Sequence, residues 1–207
     1  MAGLVGTLAL EWSNPRTLGP LNLADKLLVS MFQSVTARTT GFNTIDTGGM
    51  SEAGWLFTDL LMFIGGGSAG TAGGIKVTTF FLLAFVIWSE VRGEREVIVG
   101  RRSVSSATVR QALTVALVGL ALVVSGTLGL LLLTDHPLDQ VLFEAVSAFA
   151  TVGLSTGITG DLPGLGQLIL VVLMFVGRVG TITFATSLAL RTTHRHYRYP
   201  QERPIVG

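Results

Sequence analysis

Two short loops, one around Gly41 and one around Gly153, contain the residue types that could hold a dehydrated monovalent cation. The second reads Thr-Val-Gly at positions 151–153, which is the core of a known potassium-selective filter pattern. Backbone carbonyl oxygens can replace the water around such an ion, and a glycine permits the backbone twist that turns successive carbonyls toward it. Neither loop carries a carboxylate, which argues against a site for a hard divalent cation.

The two loops belong to an internal repeat. Residues 32–44, FQSVTARTTGFNT, resemble residues 143–156, FEAVSAFATVGLST, when one residue is gapped. This alignment places Gly41 opposite Gly153 and a threonine two residues before each glycine. A single Thr-x-Gly could be an ordinary helix-ending turn. Two copies at matching positions favour an ion pathway, because transport proteins build their pathways at the interfaces of repeats.

A glycine-rich stretch lies inside a segment that we expect to cross the membrane. The apolar segment 53–91 has 39 residues, although about 20 suffice to cross a bilayer. Its middle, 65–76, is too rich in glycine for a continuous helix, and non-helical backbone at that depth must face protein or water. The sequence therefore predicts a flexible intramembrane loop that obstructs the pathway below the filter. Its candidate gating residues are Gly65, Gly66, Gly67, Ser68, Gly70, Thr71, Gly73, Gly74 and Lys76.

The same stretch matches a different motif. Gly65-x-Gly67-x-x-Gly70 has the spacing of a dinucleotide-binding fingerprint, and Glu90 lies 20 residues beyond Gly70. A fingerprint of this kind needs a strand before it and further strands after it, whereas the flanking segments here have membrane length. A soluble nucleotide-dependent enzyme is therefore the weaker alternative.

Arg178 is a single charge in the middle of the apolar segment 165–190. A charge at the centre of a membrane helix is costly and usually faces the bundle interior or a water-filled cavity. We expect Arg178 to face the pathway below the filter, near the glycine-rich loop. A structural pair with Asp59 or Glu144 is the alternative. For Lys76 two interpretations stay open, a part in the barrier to cations and the stabilisation of helix ends.

The elements that position these residues are predicted to be membrane helices. Of the 207 residues, 49% are hydrophobic and 13% are charged, about half the charged fraction of a soluble domain. Segments 108–133 and 165–190 are long enough to cross a bilayer, whereas 25–36 and 138–150 reach roughly halfway. The predicted fold is therefore an all-α membrane protein of helix–pore loop–helix repeats, with two re-entrant half-helices and a broken long helix over 53–91.

Charge predicts which ends of the helices face the cytoplasm. Arginines collect in segments 92–110 and 191–207, whereas the other connections carry acidic residues. Since positive residues concentrate on the cytoplasmic side, both basic segments are predicted to be cytoplasmic and the protein to be a multi-pass protein of the cell membrane. No basic run with interleaved aromatic residues suggests nucleic acid as a partner.

Five motifs, taken in order, resemble the Trk/Ktr/HKT superfamily of potassium-uptake proteins. They are TARTTGFNTID, GGGSAGTAGGIKVTTF, SAFATVGLSTGIT, MFVGRVGT and YPQERPIVG. The resemblance covers nearly the whole chain and is strongest for the membrane subunit of Ktr-type systems. That superfamily joins four helix–pore–helix repeats, and this chain is similar to the third and fourth. The third-type repeat, 1–107, lacks most of its first helix and ends in a cytoplasmic linker, 92–107. The fourth-type repeat is 108–191, and a cytoplasmic tail is 192–207.

The resemblance implies roles for individual residues. The loop 65–76 would be the intramembrane gate, and Arg178 the arginine of the last helix that works with it. The residues implied to form the potassium filter are Thr39, Thr40, Gly41, Phe42 and Asn43 with Thr151, Val152, Gly153, Leu154 and Ser155.

The resemblance also implies partners and a cargo. The transported ion would be K+, Na+ stays open as a coupling or regulatory ion, and neither an organic cofactor nor enzymatic chemistry is expected. A homodimer in the lipid bilayer would bind a cytosolic nucleotide-binding regulatory subunit at its basic segments. Because two pore loops cannot enclose a four-sided filter, we expect an amino-terminal half, either in a longer reading frame, which we favour, or in a separate chain. The main alternative is a secondary transporter of a small solute that uses broken helices.

Overall fold

The computed structural model describes residues 2–67, 72–94, 97–99 and 102–190, with the side chains of the last helix described through Val179. Two 3-10 turns, Thr47–Gly49 and Ile158–Asp161, follow the two predicted filter loops. A short antiparallel pair of strands, β1 (Ile98–Val99) and β2 (Arg102–Ser103), lies in the connection after the fourth helix. The helices are α1 (Ala2–Glu11), α2 (Leu23–Thr36), α3 (Glu52–Phe63), α4 (Val77–Val91), α5 (Ser106–Leu131), α6 (Leu138–Phe149) and α7 (Gly164–Leu190).

Three of the helices begin where the sequence supplies a side-chain cap. The side chain of Asn22 accepts from the N–H of Asp25 at the start of α2. Ser51 and Ser105 do the same for α3 and α5. Each cap satisfies one of the N–H groups that the first turn of a helix leaves unpaired.

The described residues are mostly helical, as the sequence predicts for an all-α protein. Helices α2 and α6 lie where the half-helices 25–36 and 138–150 are predicted, and α5 and α7 lie at the predicted long segments. The predicted long helix 53–91 is broken into α3 and α4, and no described residue between them is helical. The two-residue strands β1 and β2 are not predicted by the sequence. They fall in the predicted linker 92–107, where Ile98 pairs with Ser103 and Val99 with Arg102.

Helix α6 lies at the centre of the molecule. It packs against α3, α5 and α7, and every residue from Phe143 through Phe149 is buried. Its carboxyl end meets α7 at Gly177, where an added methyl group would overlap the carbonyl oxygen of Phe149. Glycine at this position lets the two backbones touch. The hydrophobic core therefore surrounds the helix that leads into the second filter loop.

The outer surface of the helices is apolar. Phe81 on α4, Leu117 on α5 and Phe175 on α7 all expose more than half of their surface. Apolar surface of this extent is unusual for a protein surrounded by water. Within the described ranges, α5 is the one helix that is long and apolar enough to cross a membrane.

Helix α2 differs from α6 in its surroundings. It packs against α1, and its opposite face exposes Leu28 (71%), Met31 (62%) and Val35 (59%). The corresponding turns of α6 are covered by neighbouring helices. The first half-helix therefore exposes an apolar face, whereas residues 143–149 of the second half-helix are buried.

Candidate functional site

The two predicted filter loops share an unusual backbone conformation. Thr39 and Thr151 have φ angles of 118° and 55°, and they are the only non-glycine residues with positive φ in the part of the chain that the structure describes. Two residues later, Gly41 and Gly153 have φ angles of 70° and 94°. A β-branched residue rarely adopts this conformation, because its side chain crowds the backbone. Both loops thus have positive φ angles at matching positions, although the angles of the two threonines differ.

The φ angles alternate in sign along each loop, which affects the direction of the carbonyl groups. In each loop a residue with ordinary φ, Thr40 or Val152, separates two residues with positive φ. Backbone of alternating handedness can turn consecutive carbonyl oxygens to one side, which a regular strand cannot do. The φ angles of both loops are compatible with such a row of carbonyl ligands, which stays a prediction.

Each loop is tied to its own half-helix by a hydroxyl group. Thr36 Oγ1 donates to the carbonyl oxygen of Phe42 at 2.8 Å. At the same position of the second repeat, Ser147 Oγ donates to the carbonyl oxygen of Leu154 at 2.6 Å and accepts from the N–H of Gly153 at 3.2 Å. The carbonyls of Phe42 and Leu154 thus point toward the half-helices, and an ion would use the carbonyls that precede them.

These two hydroxyl residues are not among the residues predicted from the sequence, although a signal for them is present. When Phe32 is aligned with Phe143, Thr36 falls opposite Ser147, so both half-helices carry a hydroxyl residue in their last turn. A short polar side chain at such a position can bond the backbone that follows the helix.

The two loops lie side by side. An added methyl group at Gly41 would overlap the carbonyl oxygen of Val152, and one at Gly153 would come within 4.0 Å of the α-carbon of Gly41. Their environments differ. The side chains of Thr39, Thr40, Phe42 and Asn43 are exposed, whereas Val152 and Leu154 are buried and Thr151 and Ser155 are half-buried. The structure thus brings both predicted filter segments together, with the second embedded in the core and the first at the surface.

The glycine-rich loop is closed at its neck by backbone hydrogen bonds. The N–H of Gly65 donates to the carbonyl of Ile75 at 2.8 Å, the N–H of Ile75 to Phe63 at 3.0 Å, and the N–H of Val77 to Gly66 at 3.2 Å. The last residues of α3 and the first residues of α4 are thereby held together. Gly67 is exposed, and the predicted gating residues Ser68, Gly70 and Thr71 lie outside the described residues.

The returning side of this loop contacts the second filter segment. The N–H of Gly73 donates to Thr151 Oγ1 at 3.2 Å. A methyl group at Gly73 would lie 2.7 Å from the carbonyl oxygen of Ala150 and 2.7 Å from Thr151 Oγ1. Gly74 has a φ angle of 69° and lies close to the carbonyl oxygen of Phe63. Only glycine fits this closely between the end of α3 and the end of α6.

The same stretch does not have the surroundings of a dinucleotide site. Gly65 follows the helix α3, whereas a dinucleotide fingerprint follows a strand. The segment after Lys76 is the apolar helix α4. The nucleotide-binding alternative therefore lacks the structural context that it needs.

Lys76 and Arg178 place two positive charges below the second filter loop. Lys76 Nζ donates to the carbonyl oxygen of Ala72 at 2.7 Å, which ties the side chain to the glycine-rich loop. Arg178 lines the same cavity as Thr151, whose hydroxyl accepts from the N–H of Gly73 in the loop. That Arg178 works together with the loop stays a prediction.

A cavity of about 750 Å³ lies along the second filter segment. It runs between α6 and α7, from Glu144 beside the second filter segment to Arg178. Met174 and Phe175 form part of its apolar wall. The second filter segment therefore has open space beside it, and the passage of an ion through that space stays a prediction.

The two carboxylates that the sequence offers as partners of Arg178, Asp59 and Glu144, differ in their hydrogen bonds. Both oxygens of Glu144 accept hydrogen bonds, from Ser155 at the end of the second filter segment and from Thr156 and Thr159 after it. Asp59 is 6% exposed, and its Oδ1 has no hydrogen-bond partner within the described part of the chain. Glu144 thus binds the filter loop.

Comparison with known proteins agrees with this geometry. The family model for TrkH, described as a cation transport protein, matches residues 8–195. The Ktr system potassium uptake protein B of Bacillus subtilis (strain 168) is 45% identical over 198 residues, which are 96% of this chain and 44% of that protein. The protein of the same name from Vibrio alginolyticus is 38% identical over 99% of this chain and 45% of its own length. The potassium/sodium uptake protein NtpJ of Enterococcus hirae is 37% identical over 94% of this chain and 44% of its length. The chain therefore spans less than half the length of these relatives.

Proposed function

The chain belongs to the TrkH family of cation transport proteins, and from this premise we propose that it forms part of a pathway for potassium ions across the cell membrane. Membership confirms the resemblance to the Trk/Ktr/HKT superfamily, and it places the chain among transporters of cations rather than among enzymes. The similar proteins are named for the uptake of potassium, in one case with sodium. Potassium as the cargo, and sodium as a second or coupling ion, are proposals for this chain.

One observation carries the proposed filter. Both residue pairs, Thr39 with Gly41 and Thr151 with Gly153, hold left-handed backbone, and the two threonines are the only non-glycine residues that do so in the described part of the chain. Strain of this kind persists where the surrounding structure enforces it, and it is typical of functional sites. We propose that residues 39–43 and 151–155 replace the hydration shell of potassium with backbone carbonyl oxygens.

The filter would receive electrostatic help from the half-helices. Helices α2 and α6 both end at a filter loop, so the negative ends of their dipoles point toward it. Within the described residues the loops carry no charged side chain that would bind a cation more tightly than its passage allows. A pathway that conducts must bind its ion and also release it.

The gate proposed for this pathway is the loop 65–76. Its Gly73 lies against Ala150 and Thr151 at the inner end of the second filter segment. The positive charges of Lys76 and Arg178 lie on the same side and oppose the entry of a cation. We propose that the loop obstructs the pathway in this conformation and that transport requires it to leave Thr151.

The remaining part of the filter would come from an amino-terminal half, in the same chain or in another. Helix α6 is covered by α3 of the preceding repeat. The exposed face of α2, with Leu28, Met31 and Val35, is where an equivalent helix of an earlier repeat would pack. Two further loops of the same kind would then close a four-sided filter, with residues 1–107 and 108–191 as the third and fourth repeats.

The proposed assembly is a multi-pass protein of the cell membrane. The segments 92–110 and 191–207 would face the cytoplasm by their arginines; the second of them lies outside the described residues. We also propose that the assembled protein forms a homodimer. A cytosolic nucleotide-binding regulatory subunit would bind to these basic segments.

Potassium uptake in a strain that lacks its own uptake systems tests the proposal. The full-length protein should restore growth at low potassium and take up rubidium. Gly153→Ala should then lower the preference for potassium over sodium, because the methyl group at a φ angle of 94° distorts the filter backbone.

Gly93→Ala is the matched control for Gly153→Ala. Gly93 has a φ angle of 67° and, like Gly153, has room for a methyl group. It lies in the connection that follows α4, outside both filter segments, so the backbone strain is similar while the ion preference should stay unchanged. Equal effects of the two substitutions on ion preference, or no rubidium uptake by the wild type, would refute the proposal.

A further inference from the structure

Glu144 is a buried carboxylate behind the outer end of the second filter segment. It lies on α6 and is 4% exposed. Ser147, one turn further along the same helix face, bonds the filter backbone at Gly153 and Leu154. Because residues three apart share a helix face, Glu144 and Ser147 bind the returning chain at two successive levels.

The carboxylate accepts four hydrogen bonds from the last filter residue and from the turn that follows it. Oε1 accepts from Ser155 Oγ at 2.6 Å, from the N–H of Thr156 at 2.9 Å and from Thr156 Oγ1 at 3.1 Å. Oε2 accepts from Thr159 Oγ1 at 2.8 Å. Hydrogen bonds to an ionised acceptor are roughly twice as strong as neutral ones. One side chain thus holds both the last filter residue and the turn that follows it.

The first repeat has the same positions but lacks this network. Gln33 aligns with Glu144 and Thr47 with Thr159. Gln33 is 2% exposed, yet neither its amide oxygen nor its amide nitrogen has a hydrogen-bond partner, and Thr47 Oγ1 has none either, within the described residues. In the first repeat the amide of Gln33 therefore occupies the position of the Glu144 carboxylate, and the hydroxyl of Thr47 makes no hydrogen bond to it.

We propose that Glu144 is a positioning residue that sets the ion preference of the filter by fixing Ser155 and Thr156, and that the first filter segment is the more pliable of the two. The proposal rests on the proposed function, since a preference exists only if these segments bind the ion. A fixed set of carbonyl oxygens distinguishes ions of different size because it does not contract around the smaller ion. A loosened set loses that distinction.

Glu144→Gln tests the proposal in the full-length protein. The substitution keeps the shape of the side chain, but its amide nitrogen cannot accept the hydrogen bond of Thr159. The ratio of potassium to sodium uptake should fall by about tenfold, which corresponds to the loss of one hydrogen bond to a charged group. The amount of protein in the membrane should stay the same. Gln33→Leu, the matched control in the first repeat, should leave the ratio unchanged because the replaced amide makes no hydrogen bond.

Thr159→Val removes the same hydrogen bond from the other side, together with the hydrogen bond of 3.0 Å between the hydroxyls of Thr159 and Ser155. It should reproduce the loss of preference, and the double variant with Glu144→Gln should lose no more than Thr159→Val alone. If Glu144→Gln does not reach the membrane, Thr159→Val decides the question. An unchanged ratio, or an equal loss of potassium and sodium uptake, would overturn the proposal because it would leave Glu144 a merely structural role.

Amide hydrogen exchange separates this inference from the proposed function. In purified protein the N–H of Thr156 should exchange about tenfold faster in Glu144→Gln than in wild type, because its acceptor is weakened. Faster exchange in a protein without potassium uptake would refute the proposed function while the contact of Glu144 with the loop stands. Unchanged exchange together with normal uptake would refute the role of Glu144 alone.

Discussion

The backbone N–H of Gly73 donates a hydrogen bond of 3.2 Å to the side-chain oxygen of Thr151. Gly73 belongs to the loop between α3 and α4, whereas Thr151 is the first residue of the second filter segment. The proposed gate and the proposed filter therefore share a direct contact. Any movement of the loop away from the filter must break this bond, so the bond contributes to the stability of the obstructed conformation.

Thr151→Val should increase basal transport. Valine keeps the branched shape that the structure holds at a φ angle of 55°, but it offers no acceptor to Gly73. A hydrogen bond of about 1 kcal/mol shifts the equilibrium of the loop by about fivefold toward the displaced form. Rubidium flux into vesicles that contain the purified full-length protein should rise accordingly.

Thr39→Val is the control for Thr151→Val. Thr39 has the same role in the backbone of the first loop, with a φ angle of 118°, and its side chain is exposed. Its substitution should leave basal flux at the wild-type level. If both variants raise the flux equally, the effect comes from the filter backbone and not from the contact with Gly73.

Much of this arrangement could be predicted from local sequence. The helix boundaries follow from apolar segments and from caps such as Ser51 and Ser105, which act within three residues of their own position. The filter loops follow from the alignment of Gly41 with Gly153, since left-handed backbone needs glycine or a strongly constrained residue. Helix caps and loop glycines depend on residues close together in the chain, so they can be recognised in a single sequence.

The contacts that brace the site could not be predicted in this way. Glu11, at the end of α1, is fully buried and binds Ser51 at the start of α3, 40 positions away. The contact of Gly73 with Thr151 joins residues 78 positions apart. Such pairs depend on how the helices pack against one another. A lone glutamate after an apolar segment resembles any solvent-exposed helix end.

Glu11→Ala should destabilise the protein strongly. The carboxylate accepts from Asn14 at 2.6 Å, from Thr17 at 2.7 Å, and from the N–H and hydroxyl of Ser51 at 2.9 and 2.6 Å. Its removal leaves buried donors without partners, which should cost about 3 kcal/mol. The midpoint of thermal unfolding in mild detergent should fall.

Glu52→Ala provides the comparison for Glu11→Ala. Glu52 is also acidic and lies in the first turn of α3, but it is exposed. Its loss removes a favourable interaction with the helix dipole and should cost less than about 1 kcal/mol. A similar fall in the unfolding midpoint for both variants would show that the buried network of Glu11 contributes little.

Gly73→Ala should displace the proposed gate more severely than the loss of the Thr151 hydroxyl. The added methyl group would lie 2.7 Å from the carbonyl oxygen of Ala150, which belongs to rigid backbone at the end of α6, so the loop has to move. Overlaps of this kind cost about 1–3 kcal/mol, and basal rubidium flux should rise by about tenfold. Gly67→Ala is the matched control on the other side of the same loop, where a methyl group meets no atom of the described residues within 4 Å, and it should leave the flux unchanged. Flux that stays at the wild-type level in Gly73→Ala, with normal amounts of protein in the membrane, would mean that the loop does not obstruct the pathway where it meets Thr151.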